Sequence, residues 1–306
     1  MSFPGNFSEH FLPDQLDRIS VSFLVDSLVR RNGGCAANIS YSLALLGEHP
    51  TLFGTVGKDF KDYGSFLKNV GVDTSKIRTI ENTYTASFFA NTDQKGNQIS
   101  SFYTGAMQHA KELSIRDISD EPIDLLVISP NDPKAMISHA KECKELQIPY
   151  IFDPSQQIVR LTGEELRYGT EGAKILILND YELEMFKKKT GIYDDHLLYL
   201  VEVVIITHGE NGSVIRTGNK TIRIPVVPPR QTLDPTGVGD AYRAGFIKGM
   251  INRLSWESIG RMGSLAATYV LETEGPQSHQ YDLRRFAERY CSVFGESEEV
   301  RGLVKA

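Results

Sequence analysis

The sequence is short of cysteine, tryptophan and basic residues, and each shortage closes off a class of protein. Its three cysteines, Cys35, Cys143 and Cys291, are odd in number, widely separated and form no C-x-x-C. That argues against both a disulfide framework and a thiolate zinc site, and we expect free thiols in a reducing cytoplasm. With 33 Lys and Arg against 39 Asp and Glu, the net charge is −6. Nothing electrostatic favours nucleic acid, and no basic run offers a patch for a membrane surface. No apolar run approaches a membrane span, and the segment from Met1 to His10 lacks the basic and apolar regions of a signal peptide. The seven histidines show no metal-ligand spacing. A P-loop motif is absent, and Gly237-Val-Gly239 lacks the third glycine of a dinucleotide fingerprint. What remains is a chain of 306 residues, 41% hydrophobic, able to bury a large core and suited to a small-molecule substrate.

From residue 125 a pattern repeats: an apolar run ends at a polar residue and a helix follows. Residues 125–128 end at Ser129, 150–152 at Asp153, 175–178 at Asn179 and 203–206 at Thr207. Such runs fit strands buried on both faces of a parallel sheet. Asp132-Pro133, Thr162-Gly-Glu-Glu165 and Asn179 read as helix openers. The expectation is an α/β fold with a doubly wound, mostly parallel sheet whose ligands bind along its carboxyl edge. Residues 84–91 and 98–104 flank a polar turn at Gly96 and read as a hairpin, and 19–25 read as a further strand. Together they predict a small aromatic sheet containing Phe23, Phe88, Phe89 and Phe102. We place one domain over 1–306, with a β lid drawn from about 15–30 and 80–106.

The most informative stretch is Asp234-Pro-Thr-Gly-Val-Gly-Asp240, running into Ala-Tyr-Arg-Ala-Gly-Phe246. Two glycines permit a tight turn with bare amides at a helix start, which is an anion site. Asp240 at that mouth is placed to accept a proton. A proton acceptor beside a cradle for negative charge is what phosphoryl transfer to a hydroxyl needs. A plain aspartate N-cap would also explain Gly-x-Gly-Asp, but Asp234 and Thr236 add oxygen donors that a cap does not require. Gly33-Gly34 and Asn38 read equally well as a turn or as backbone brought close to a ligand. Asn179-x-x-Glu182 by itself reads as a capping box, and Thr207-His-Gly-Glu-Asn-Gly212 as a turn after a strand.

The run from Asp234 to Phe246 resembles the C-terminal signature of the ribokinase-like (PfkB) carbohydrate and nucleoside kinases. Gly33-Gly34-Cys-Ala-Ala-Asn38 is similar to the same family's N-terminal Gly-Gly-x-x-x-Asn. The resemblance covers nearly the whole chain. It implies Asp240 as the base, and Gly237, Val238 and Gly239 as the anion hole. Gly33, Gly34 and Asn38 would bind sugar hydroxyls, and Asn179, Thr207, Gly209 and Gly212 would hold ATP. Glu182 would hold Mg²⁺ through water. Asp234 and Thr236, with backbone oxygens near Glu274-Gly-Pro-Gln277, would form a site for K⁺. Residues 97–107 resemble the lid return of the adenosine-kinase branch, which puts Phe102 over the substrate. The activity implied is ATP-dependent phosphorylation of a ribonucleoside 5′-hydroxyl, adenosine first. A ribose or fructose kinase and a non-catalytic nucleoside- or sugar-binding relative are the alternatives, and a homodimer through the lid is a further expectation. Family members usually open with an apolar strand ending in Gly and Asp, whereas this sequence starts at Met-Ser-Phe-Pro-Gly. The start is therefore read as internal to a longer protein or as the mark of a lost segment, with one strand and one hydroxyl acceptor missing.

Overall fold

The computed structural model describes residues 1–10 and 20–304. Gly34, at φ +103°, turns the chain into α1 (Cys35–Leu45). β1 (Gly54–Gly57), α2 (Lys61–Val70) and β2 (Ile77–Ile80) follow, and β1 and β2 form a separate parallel pair.

The expected hairpin is β3 (Ser87–Thr92) with β4 (Gln98–Tyr103), antiparallel, with Phe88 opposite Phe102. Buried Asp93 fixes its turn by accepting from the amides of Lys95 and Asn97 and, across the chain, of Phe7. Tyr84 falls outside β3 because its carbonyl accepts from the amide of Ala106 at 2.9 Å. Of the expected strand over 19–25, Ile19 lies outside the described residues, and 20–25 form no strand with any described residue. The segment is pinned by packing instead, the Phe23 ring lying 5.0 Å from Phe3 and 4.9 Å from Phe7. In its place Met1 to Phe3 line the hairpin edge. Thr92 N donates to Met1 O at 3.0 Å and Phe3 N to Thr92 O at 2.8 Å, while Ser2 bridges to Ser27. Phe88 and Phe89, adjacent on one strand, point to opposite faces, so Phe88 shares a face with Phe102 and Phe89 does not.

The apolar runs form the main sheet, in the order β10-β9-β8-β7-β6-β5. β5 (Leu126–Ile128), β6 (Tyr150–Phe152), β7 (Ile175–Asn179) and β8 (Val203–Thr207) are parallel, and β9 (Ser213–Thr217) and β10 (Lys220–Ile224) are antiparallel additions. Successive residues alternate faces, which is why every position is apolar. Phe152, Leu176, Leu178, Val204 and Ile206 pack against α3 (Pro133–Leu146), α4 (Gly163–Thr170) and α5 (Asp180–Thr190) through Met136, Leu166 and Phe186. A short α6 (Asp194–Leu197) follows α5. On the other face Ile151, Ile175, Ile177, Val203 and Ile205 meet α1, α7 (Val238–Ile251) and α8 (Trp256–Leu271) through Ile39, Phe246 and Ile259. α9 (Leu283–Phe294) and α10 (Glu298–Gly302) cover α8 through Phe286, Tyr290 and Val300. Each large side chain so buried contributes about 1.5–3 kcal/mol, and helices on both faces make the sheet doubly wound. The three expected helix openers hold: Asp132 accepts from Lys134 N at 3.0 Å, and Thr162–Glu165 and Asn179–Glu182 both close as capping boxes. Pairing of Asn179 with Thr207 sets their two loops side by side on the carboxyl edge.

Candidate active site

Gly237 opens α7 at φ +83°, where an added Cβ would lie 2.4 Å from Pro276 Cβ. The position takes glycine for both reasons. A helix start leaves its first amides without carbonyl partners inside the helix. Val238 N reaches Pro235 O only at 3.3 Å, and the amides of Gly237 and Gly239 meet no protein acceptor among the described residues. Asp240 is the third residue of the helix, and its carboxylate makes no capping bond. The plain N-cap reading is thereby removed. Its Oδ2 accepts instead from Asn38 Nδ2 at 2.8 Å.

That bond joins the two glycine-rich motifs, and the chain of contacts runs further. Gln277 Nε2 donates to Asn38 Oδ1 at 2.9 Å and to the Tyr63 hydroxyl at 2.6 Å, and Tyr63 donates to Gly33 O at 2.9 Å. Burial pushes the half-buried Asp240 up from 3.8 to about 6; Arg243 and the Asn38 bond oppose this, Asp153 adds to it, and Cys35 opposes it. Arg243 reaches back one turn, donating from Nη1 to Gly239 O at 2.8 Å and from Nη2 to Asp153 Oδ1 at 2.6 Å. Tyr63, Gln277, Arg243 and Arg31 were not singled out in the sequence, and Cys35 only as a free thiol. Tyr63 carries no motif. Gln277 and Arg243 lie inside or beside motifs but join partners far along the chain.

On the carboxyl edge, Asn179 N donates to Glu182 Oε2 and Glu182 N to Asn179 Oδ1, both at 2.8 Å. Burial raises Glu182 above the usual carboxylate range, opposed by the Asn179 amide and by Arg243. Its capping role occupies one carboxylate oxygen and no more. Among the described residues no three His, Cys, Asp or Glu side chains gather to hold a metal by themselves. A lone carboxylate suits Mg²⁺ bound through its own water, so the donors present fit that ion. Thr207 leads into a tight loop, His208 N donating to Gly212 O at 2.7 Å, with Gly209 at φ +55° and Gly212 at +87°.

The K⁺ expectation fits less well. Both Asp234 oxygens are engaged, Oδ1 by Thr236 N at 2.9 Å and Oδ2 by Gly275 N at 3.0 Å. Burial works to raise Asp234, but Thr236, Gly275 and Arg31 hold it below 3.8. The Glu274 carbonyl accepts from Arg31 Nη1 at 2.7 Å. A guanidinium already brings positive charge to these oxygens. Phe102 stands on the hairpin, 52% exposed beside Phe88 at 65%; Phe23 is turned away into its own cluster.

A carboxylate titrating near 6, amides at a helix start and an asparagine beside them suit proton removal from a hydroxyl as an anion forms nearby. Comparison with known proteins agrees with that class. The profile of the pfkB family carbohydrate kinases matches residues 11–282. The nucleoside kinase of Methanocaldococcus jannaschii is 33% identical over 262 residues, 85% of each chain. The structure of Burkholderia thailandensis nucleoside kinase in complex with inosine superimposes with a TM-score of 0.85 at 33% identity, covering 97% of this chain and 95% of that one. The ribokinase of Haemophilus influenzae is 24% identical over 260 residues, 80% of this chain and 83% of its own. The chain belongs to the pfkB family of carbohydrate kinases and is a phosphotransferase acting on a hydroxyl group.

Proposed function

We propose that the protein transfers the γ-phosphoryl group of ATP to the 5′-hydroxyl of a ribonucleoside, with adenosine as the first choice. The observation that carries this reading is the Asn38–Asp240 bond, which ties the group assigned to ribose hydroxyls to the group assigned as base. Asp240 takes the proton of the 5′-hydroxyl, whose oxygen attacks the γ-phosphorus as ADP leaves. The amides of Gly237, Val238 and Gly239 receive the charge that gathers on the transferred group. Asn179, Thr207, Gly209 and Gly212 cradle the nucleotide. Glu182 would hold Mg²⁺ through water, and the ion would supply positive charge to neutralise the phosphates. No step is assigned to K⁺ at Asp234 and Thr236. Residues 1–306 are read as one cytoplasmic domain.

The nucleoside, rather than a free sugar, is favoured by the relatives of highest identity named above and by the lid. A base needs flat apolar walls, whereas a sugar needs many polar partners. We assign the Phe88–Phe102 face to the acceptor and the Phe89 face to a second copy of the chain. The test is ADP release with ATP and Mg²⁺ across adenosine, inosine, other ribonucleosides, ribose and fructose. Adenosine should be fastest; faster turnover of ribose or fructose than of any nucleoside replaces this reading with a sugar kinase.

Phe102→Ala should raise KM for adenosine about 5-fold, the equivalent of one aromatic stack of ~1 kcal/mol. If it loosens a dimer and leaves KM unchanged, the assignment of faces is reversed.

A further inference from the structure

Asp153 and Arg243 are the most deeply buried ion pair beside this site, at 1% and 8% exposed. Asp153 follows β6 on the sheet's carboxyl edge, and Arg243 lies one turn into α7. The two side chains meet twice, by a hydrogen bond from Nη2 to Oδ1 at 2.6 Å and by an ion-pair contact of Nε with Oδ2 at 2.5 Å that lacks hydrogen-bond geometry. The remaining Nη1 holds Gly239 O at 2.8 Å, and the guanidinium packs so closely that a Cβ on Gly239 would lie 3.0 Å from Nη1. One fork therefore fastens the first turn of α7, the turn that carries the anion cradle and Asp240, to the end of β6.

Stability is a weak reason for such a pair, because a buried ion pair is often matched or bettered by well-packed apolar residues. Position is a stronger one. The pair adjoins the carboxylate assigned as base, yet neither member is assigned to substrate. We propose that Asp153 and Arg243 are positioning residues for phosphoryl transfer, setting the orientation of the cradle and the balance of charge around Asp240. This rests on the mechanism proposed above but not on which hydroxyl is the acceptor.

The charged and titratable groups around Asp240 are few. Arg243 comes from α7 itself, Asp153 from the end of β6 and Cys35 from the start of α1. Glu182, at the start of α5, acts on Arg243. The Cys35 thiol is held protonated by burial and by the neighbouring Asp240 and Asp153 carboxylates. Arg243 favours the ionised form of Asp240 and Asp153 disfavours it, so removing each should move proton loss from Asp240 in opposite directions.

The test measures kcat/KM against pH, with whichever acceptor the wild-type protein turns over, for Asp153→Asn, Arg243→Lys and the double change Asp153→Leu with Arg243→Met. Wild type should lose activity below pH about 6. Asp153→Asn should move that acid limb down by roughly one pH unit. Arg243→Lys keeps the charge but loses the fork, so its limb should stay near that of wild type while kcat falls ~10- to 100-fold. The double change should melt near the wild-type temperature, since it exchanges the pair for apolar packing, and still turn over ~10- to 100-fold more slowly with its limb moved up. A pair that serves only folding predicts the reverse: a folded double variant with wild-type kcat, or an Asp153→Asn variant whose limb does not move. Either result overturns the proposal. If Asp153→Asn or the double variant does not fold, kcat of Arg243→Lys decides, wild-type turnover counting against the pair. Wild type without activity on any nucleoside, but active on a sugar, would overturn the substrate reading and leave this test intact.

Discussion

Asp240→Asn should fold, bind nucleotide and turn over ~10²- to 10⁴-fold more slowly, the usual loss when a general base is removed. Asparagine is nearly the same shape and its carbonyl still accepts from Asn38 Nδ2, so the network through Gln277 and Tyr63 should persist. The variant should also be more stable. Burial raises the Asp240 carboxyl from 3.8 to about 6, so the folded protein disfavours the charged form. For a group raised in this way, the favourable contribution is fully present below pH about 3.8 and is lost as pH rises through about 6. Above that the charge costs on the order of 3 kcal/mol. Asparagine removes this cost, so the difference in melting temperature between variant and wild type should be positive at pH 8 and shrink towards pH 4. Calorimetry and steady-state kinetics on one preparation check both halves. Wild-type turnover by the variant would remove Asp240 from the mechanism, while slow turnover without any gain in stability would mean the carboxylate is better solvated than its surroundings indicate.

The loop and helix start that carry Asp240, the residue proposed as base, were legible in the sequence because their reasons are local. Two glycines, an aspartate and an apolar helix lie within a few residues, and the left-handed conformation of Gly237 follows from that pattern. The main sheet was legible for a similar reason: strands buried on both faces must be apolar at every position, and 175–178 and 203–206 are. What failed to show was whatever depends on a partner far along the chain. Arg243 meets Asp153 across 90 positions and Gln277 meets Asn38 across 239, and nothing in either neighbourhood announces the match. Arg243 sits among apolar residues in a helix buried on nearly every side, so its charge was visible and its partner was not. Residues 20–25 failed in the opposite way. Their alternation is real, but a strand needs an edge to pair with, and Phe23 finds aromatic packing instead. The hairpin edge is lined by Met1 to Phe3, where no alternation is long enough to read.

Gly237→Ala should be the most damaging single-methyl change in the site, and contrast with Gly239→Ala supplies its control. At φ +83° an alanine is strained by about 1–2 kcal/mol before any contact is counted. Its Cβ would lie 2.4 Å from Pro276 Cβ and 3.1 Å from Pro276 Cα, and Pro276 is backbone-fixed rather than a side chain free to swing away. The loop carrying Pro276 also carries Gln277, which holds Asn38, and the new methyl group would sit 3.7 Å from Asn38 Nδ2. Relief of the clash therefore moves the proposed anion cradle and the partner of Asp240 together. Loss of one donor from such a cradle lowers kcat ~10²- to 10³-fold, and Gly237→Ala should fall by at least that much, with a smaller change in KM for ATP because the loops of Asn179 and Thr207, proposed to hold the nucleotide, are untouched. Gly239 has no left-handed conformation, and its added Cβ meets only the end of the Arg243 side chain at 3.0 Å. That variant should lose no more than about tenfold, a loss carried through the displaced Arg243 fork. Kinetics of the two alanine variants side by side, with circular dichroism to confirm folding, decide the matter: a Gly237→Ala enzyme within a few-fold of wild type would show that the first turn of α7 does not cradle the transferred group.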